Sequence, residues 1–171
     1  RDLVRSRGLG DVYKRQNVAF IVSLAGPACK VDTLMMLQLN GLSKVQGAKE
    51  DVVHNVAEAR QLLLSQDNKP WMRAFLDMDF SQFLQLVKCP VMALGGSNDL
   101  NVPAEFNMQC LKKGLPQNSK NVIKIYPGLN HFFQHSSTGN PLDYVNIEKT
   151  ISEEVLNDVC SWINKITNTH H

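Results

Sequence analysis

The sequence predicts an α/β protein with a parallel sheet, and two stretches of the chain carry that prediction. Residues 91–94 form a short apolar run that opens into a loop containing Gly95 and Gly96, and residues 122–126 form a second run that opens into a loop containing Gly128. Such runs suit strands that are covered on both faces of a parallel sheet. A helical pattern lies between them, as the crossover between two parallel strands requires.

The first strand is predicted at residues 17–25 (NVAFIVSLA), which are almost continuously apolar and are followed by Gly26 and Pro27. A strand that is buried on both faces lies inside a sheet and has neighbours on both sides. The sequence after this strand supplies neighbours on one side only. We therefore expect that earlier strands precede residue 17 in the intact protein, and that residues 17–168 form a partial domain.

Residues 1–16 (RDLVRSRGLGDVYKRQ) are expected to be an artefactual or disordered leader, because they begin without methionine and lack the apolar core of a secretory signal. The alternative is a basic arm that binds an acidic partner. This segment holds five basic and two acidic residues, which leaves 13 basic against 14 acidic residues for the rest of the chain. Beyond the leader the sequence therefore predicts no basic face for nucleic acid. No apolar run approaches the roughly 20 residues that would span a membrane.

Residues 31–87 are predicted to form a helical cap between the first two strands. Arg60 lies at the margin of one helix face, which is marked by the apolar residues Val52, Val53, Val56, Leu63 and Leu64. Pro70 is placed to begin a second helix. A shorter helix after Asp79 is expected to bury Phe80, Phe83 and Leu84. A crossover of this length exceeds a single helix, and such insertions often serve as lids or substrate caps.

Residues 89–168 are predicted to alternate strand, helix, strand, loop and helix. Val102 and Pro103 are placed to begin the first of these helices, and Gly114 is placed to end it. Ser152 is placed to cap the last helix, whose apolar stripe is expected to pack against the sheet. That stripe consists of Val155, Leu156, Val159, Trp162, Ile163 and Ile166.

Two titratable residues, Asp99 and His131, occupy equivalent places in the loops that follow the second and third strands. Parallel strands end at the same edge of a sheet and lie about 5 Å apart, so the carboxylate can come within hydrogen-bond reach of the imidazole. Such a pair is the acid and base of a catalytic triad. The alternatives are that Asp99 is an N-cap or turn aspartate before the helix that Pro103 begins, and that His131 packs between Tyr126 and Phe132.

Residues 17–166 resemble the C-terminal part of an α/β-hydrolase of the bacterial serine esterase or acyl-peptidase-like type. Four segments carry the resemblance: NVAFIVSLAGP (17–27), KPWMRAFLDMD (69–79), CPVMALGGSNDLNVP (89–103) and PGLNHFFQHSSTGNPLDYVNIEKTISEE (127–154). The resemblance implies that Asp99 is the triad acid and His131 the general base. It also implies hydrolysis of an ester, thioester or peptide-like bond in a small-molecule or peptidyl acyl substrate, without a cofactor.

The nucleophile that this resemblance implies is a serine in a G-x-S-x-G elbow, which needs small residues two positions either side of the serine. Ser23 and Ser43 each have a bulky residue at one of these positions, Ile21 and Val45, and Ser97 would lie beside its own acid. We therefore expect the nucleophile before residue 17, and the chain as given to be poorly soluble and inactive on simple esters. The alternative is a non-catalytic α/β binding or interaction module. A flavodoxin-like nucleotide binder is disfavoured, because the sequence lacks the glycine-rich phosphate loop that would open a helix.

The cysteines are widely spaced and form no C-x-x-C pair: Cys29, Cys89, Cys110 and Cys160. We expect them to be free, packed thiols, which favours a reducing compartment such as the cytoplasm, although export stays open. No metal site is expected. His135 follows His131 at a spacing that would bind zinc on a helix, but a loop is predicted there and no third ligand is evident.

Overall fold

Three parallel strands form the sheet of the computed structural model, which describes residues 18–168. The strands are β1 (Ile21–Leu24), β2 (Val91–Gly96) and β3 (Val122–Tyr126), and they lie side by side in that order. Ile21 of β1 is in register with Val91, and Met92 of β2 with Val122. The predicted α/β class with a parallel sheet is thereby confirmed. The leader predicted at residues 1–16 lies outside the described residues.

Helices fill the connections between the strands. Four lie between β1 and β2, namely α1 (Val31–Val45), α2 (Val56–Gln66), α3 (Pro70–Leu76) and α4 (Ser81–Leu84). A single helix, α5 (Ala104–Gly114), connects β2 to β3. A 3₁₀ helix (Pro141–Asn146) and α6 (Glu153–Thr167) follow β3. None of the helices within residues 18–168 is long and apolar enough to cross a membrane.

The core lies on both faces of the sheet. Every residue of β2 is buried, because α6 covers one face of this central strand and α5 the other. Successive side chains of a strand point to opposite faces, so Met92 and Leu94 pack in the cluster that includes Tyr126, Val155, Trp162 and Ile166. Val91 and Ala93 pack in the other cluster, with Met108 and Leu111 of α5. The apolar run that predicted β2 thus reflects cover on both sides.

Several predicted element boundaries and burials were wrong. Helix α2 begins at Val56 rather than near Val52, because the Asn55 side chain accepts a hydrogen bond from the Glu58 backbone N–H and caps the helix there. Helix α5 begins one residue after Pro103. Two residues expected to be buried are instead 48% and 44% exposed, namely Phe83 on the single-turn α4 and Leu156 on α6.

The prediction that all four cysteines are free was wrong, because Cys29 and Cys110 form a disulfide. Cys29 lies just before α1 and Cys110 lies on α5, so the pairing depends on the packing of two elements 81 residues apart in sequence. Their Cα atoms are 5.8 Å apart, within the range that a disulfide bridges. Cys89 and Cys160 are free. The expected argument from free thiols for a reducing compartment therefore no longer holds.

The fully buried side-chain amide of Asn107 on α5 binds the same β1–α1 loop. Its Oδ1 accepts a hydrogen bond from the Ala28 backbone N–H at 2.7 Å, and its Nδ2 donates to the Gly26 carbonyl at 3.0 Å. The loop after β1 is therefore attached to α5 by two hydrogen bonds as well as by the disulfide.

A buried carboxylate organises the helices between β1 and β2. The Asp32 side chain on α1 is only 3% exposed, and it lies 3.5 Å from Nη1 of Arg60 on α2 and 3.1 Å from Nζ of Lys30. Arg60 also donates to the Leu76 carbonyl at 3.0 Å and to Asp77 at 2.6 Å. One guanidinium therefore connects α1, α2 and the end of α3.

We expect Arg60→Met to lower the free energy of unfolding by roughly 2–3 kcal/mol, because it leaves a buried carboxylate with Lys30 as its remaining ion-pair partner. Urea unfolding of the variant and the parent protein measures this loss. Lys44→Met is the matched control, since the Lys44–Asp51 pair is exposed on both sides and should contribute less than about 1 kcal/mol. Equal losses in the two variants would contradict the expectation.

A polar cluster joins strand β3 to helix α6 on the face of the sheet that this helix covers. The Tyr126 hydroxyl donates to Oδ2 of Asp158 at 2.6 Å, and Lys124 donates to the same carboxylate. Burial raises the pKa of the Tyr126 phenol, and the Asp158 carboxylate raises it further. The hydrogen bonds from Lys124 and then Tyr126 lower the pKa of Asp158.

These shifts predict how stability depends on pH. Above about pH 10 an unfolded tyrosine loses its proton while Tyr126 in the folded protein keeps it, so the free energy of unfolding should fall as the pH rises. Urea unfolding at several alkaline pH values should show a shallower fall in Tyr126→Phe. The same alkaline slope in Tyr126→Phe and in the parent protein would refute the Tyr126 assignment.

At the acid end, the contribution of Asp158 to stability is present above about pH 4 and is lost as the pH falls through its lowered folded pKa.

Candidate active site

Asp99 lies in the loop after β2, and the backbone around it fixes its carboxylate. Its backbone N–H donates to the Gly96 carbonyl at 3.1 Å, which closes a turn directly after the strand. Its Oδ1 accepts hydrogen bonds from the backbone N–H groups of Asn101 at 2.8 Å and Val102 at 2.9 Å. The Asp99 side chain is 0% exposed. The second carboxylate oxygen, Oδ2, is thereby directed away from its own loop.

His131 lies in the loop after β3, on a turn that the preceding residue holds in place. Gly128 opens the loop with a φ of +73°, a left-handed conformation that favours glycine. The fully buried Asn130 then accepts hydrogen bonds at Oδ1 from the backbone N–H groups of Phe132 at 2.9 Å and Gln134 at 3.0 Å. Sequence reasoning missed this role of Asn130, although asparagine commonly forms such turns.

The two loops bring Asp99 and His131 together. Nδ1 of His131 lies 2.9 Å from Oδ2 of Asp99, and the imidazole is 26% exposed while the carboxylate is fully buried. A carboxylate acceptor at Nδ1 favours the neutral tautomer that carries its proton there, which makes Nε2 the basic nitrogen. The arrangement can therefore accept a proton at Nε2 and stabilise the resulting imidazolium.

Aromatic rings flank the histidine. The ring centroids of His131 and Phe132 are 5.7 Å apart, and those of Phe132 and Tyr144 are 5.1 Å apart. Burial raises the pKa of the Tyr144 phenol, a hydrogen bond with the His131 backbone lowers it, and the negative charge of Asp99 raises it. Tyr144 thus lies against the histidine loop, through Phe132 and the His131 backbone, a position that its sequence did not predict. Of the predicted alternative, in which His131 packs between Tyr126 and Phe132, the Phe132 contact is present, while Tyr126 packs against Phe133 with ring centroids 6.2 Å apart.

The three serines considered as nucleophiles occupy structural positions. Ser23 lies within β1 and Ser43 within α1. The Ser97 hydroxyl accepts a hydrogen bond from the Gly128 backbone N–H at 2.8 Å and donates to the Asn98 side chain at 3.1 Å. Within residues 18–168, no group of three or more His, Cys, Asp or Glu side chains could hold a metal ion.

Comparison with known proteins gives one family match. The model of the dienelactone hydrolase family matches residues 81–167, which are 87 of the 171 residues of the chain. The matched range begins with α4 and ends with α6, so it contains β2, β3 and both loops that carry Asp99 and His131. A search of curated proteins finds no significant match.

Proposed function

The chain belongs to the dienelactone hydrolase family, which has the α/β-hydrolase fold, and on that premise we propose that it acts by Ser-His-Asp acyl transfer. The observation that carries the proposal is the 2.9 Å contact between Asp99 and His131 at the carboxyl edge of two neighbouring parallel strands. This contact supports the roles of triad acid for Asp99 and general base for His131.

In the proposed reaction, Nε2 of His131 takes the proton of a serine hydroxyl as its oxygen attacks the acyl carbon of the substrate. The same nitrogen then gives that proton to the leaving group, and an acyl-enzyme remains. Water attacks the acyl-enzyme with His131 again as the base, which releases the acid product and restores the serine. Asp99 stays ionised throughout and stabilises the imidazolium.

The nucleophile in this proposal is none of Ser23, Ser43 and Ser97. Each has a bulky or acidic residue where an elbow needs a small one, and the Ser97 hydroxyl is already bonded between the two loops. We assign the nucleophile to a G-x-S-x-G segment before residue 17, together with the oxyanion-hole donors. The substrate is an ester, thioester or peptide-like acyl compound, and the enzyme is of the serine esterase or acyl-peptidase-like type. In this assignment, residues 31–87 act as the cap over the substrate.

Labelling with a fluorophosphonate, which reacts with activated serines, tests the proposal. The protein is expressed from its natural start codon, labelled, digested and mapped by mass spectrometry. We expect one labelled serine before residue 17, and no label when His131 is replaced by alanine. Label on Ser23, Ser43 or Ser97 would overturn the assignment of the nucleophile. A protein that takes no label and hydrolyses no ester or thioester would instead be a non-catalytic α/β binding module.

A further inference from the structure

We propose that Asn98 is a positioning residue for His131, because it holds both ends of the turn that carries the histidine. The proposal rests on the function proposed above, but it concerns geometry that can be measured without turnover. Asn98 immediately precedes Asp99 in the loop after β2. It is half-buried and lies against the loop after β3.

Two hydrogen bonds from Asn98 bracket His131. The Asn98 backbone N–H donates to the carbonyl of Leu129 at 2.9 Å, two residues before the histidine. The Asn98 side-chain Nδ2 donates to the carbonyl of Ser136 at 2.6 Å, five residues after it. One residue of the acid loop is therefore bound to the histidine loop on both sides of His131.

Close packing shows that the contact around Asn98 is built into the fold. Gly139 has a φ of +68°, and a Cβ at that position would lie 2.0 Å from the Asn98 carbonyl oxygen. The Gly139 backbone N–H donates to the Ser136 hydroxyl at 2.9 Å, so the turn from 136 to 139 closes around Asn98. The histidine loop thus meets the side chain of Asn98 at Ser136 and its carbonyl at Gly139.

Other hydrogen bonds close the histidine loop on itself, from the Ser136 N–H to the Gly128 carbonyl and from the Asn130 N–H to the Gln134 carbonyl, each at 2.9 Å, but they do not reach the acid loop. Ser97 binds the start of the loop, through its own N–H to Tyr126 and through its hydroxyl to Gly128. The Phe133 carbonyl accepts from the Ser152 N–H at 2.8 Å, which attaches the loop to α6 rather than to the acid loop. The Asn98 amide therefore supplies the link from the acid loop to the chain beyond His131.

Loss of this amide should act on the histidine and spare the acid. Asp99 keeps its two backbone donors, Asn101 and Val102, whatever stands at position 98. The turn bearing His131 would keep its attachment at Leu129 and the hydrogen bonds within its own loop, and it would lose the attachment of Ser136 to the acid loop. The imidazole would then meet Oδ2 of Asp99 for a smaller fraction of the time, and the tautomer with its proton on Nδ1 would lose its preference.

Nitrogen-15 NMR of the imidazole tests the proposal in the full chain, at a pH where the His131 signals no longer change with pH and the ring is neutral. The His131 signals are assigned by their loss in His131→Gln. We expect the proton to lie mainly on Nδ1 in the parent protein. In Asn98→Ala the ratio of the Nε2–H to the Nδ1–H tautomer should rise roughly fivefold, the factor that one hydrogen bond of ordinary strength represents.

Two further variants make the result decisive. Asn98→Ser keeps a polar side chain that is too short to reach Ser136 and should behave like Asn98→Ala. Asn118→Ala, which removes an amide acceptor from an exposed turn at Lys120, should leave the ratio unchanged. An unchanged ratio in a folded Asn98 variant, an equal change in Asn118→Ala, or the failure of both Asn98 variants to fold would overturn the positioning role.

The outcome is independent of the reactive-serine test. A parent protein that takes no fluorophosphonate would end the proposed function, yet the dependence of the His131 tautomer on Asn98 would stand. If the parent protein reacts with the fluorophosphonate but the His131 tautomer ratio is the same with and without the Asn98 side chain, the positioning role is wrong and the proposed function stands.

Discussion

Replacing Asp99 with asparagine is expected to lower kcat of the intact enzyme by about 10⁴-fold with little effect on folding. The Oδ1 of an asparagine can still accept the hydrogen bonds from Asn101 and Val102, so the loop keeps its shape. Its NH₂ group would then face Nδ1 of His131 as a donor. This forces the imidazole proton onto Nε2, where it blocks acceptance of the serine proton.

Steady-state turnover of an activated ester measures the loss of kcat, and urea unfolding measures the effect on folding. Asp143→Asn is the matched control, because Asp143 is an acid of the nearby 3₁₀ helix that accepts a hydrogen bond from Thr138 at 2.7 Å. It should retain nearly full activity. Activity in Asp99→Asn above about a tenth of the parent value would exclude Asp99 as the triad acid, since removal of that acid costs orders of magnitude more.

Removing the Cys29–Cys110 disulfide is expected to cost about 4.5 kcal/mol of unfolding free energy in the chain-entropy description of a loop of this length. The 81-residue separation is what makes the effect large, because the cross-link restricts the unfolded chain over nearly half its length. Urea unfolding of the double variant Cys29→Ala/Cys110→Ala, compared with the parent protein, measures the loss.

Cys160→Ala is the control for this experiment, because Cys160 is a free and exposed thiol whose removal should change stability by less than about 0.5 kcal/mol. A dithiol reductant should destabilise the parent protein and leave the double variant unchanged. Titration of four thiols in the native, unreduced protein would contradict the disulfide itself.

The sequence predicted the features that depend on local pattern and on the rules of parallel sheets. The apolar runs of β2 and β3 located both strands, and the shared edge of parallel strands placed Asp99 near His131. The resemblance to α/β-hydrolases is confirmed at the level of the superfamily by the match over residues 81–167. The catalytic roles of the two residues stay a prediction.

What the sequence did not predict depends on contacts between distant segments. The partner of Cys29 is 81 residues away, and no spacing rule points to it. The roles of Asn98 and Asn130 depend on how two loops fold against each other, and an asparagine in a loop looks the same in sequence whether or not its amide is used. Tyr144 reaches the site through a 3₁₀ helix that lacks a strong periodic signal.

The disulfide also divides the molecule topologically. The covalent circuit that it closes runs through residues 30–109, so it contains Asp99 but leaves His131 outside. A protease that cuts the exposed backbone within the circuit, for example between α1 and α2, would leave both pieces covalently joined until a reductant separates them. A single cut between α5 and β3 lies outside the circuit, so it would release the piece that carries His131 as soon as the protein unfolds. After a single cut within the circuit, the segment with Asp99 and the segment with His131 stay covalently joined, whereas a single cut between α5 and β3 separates them.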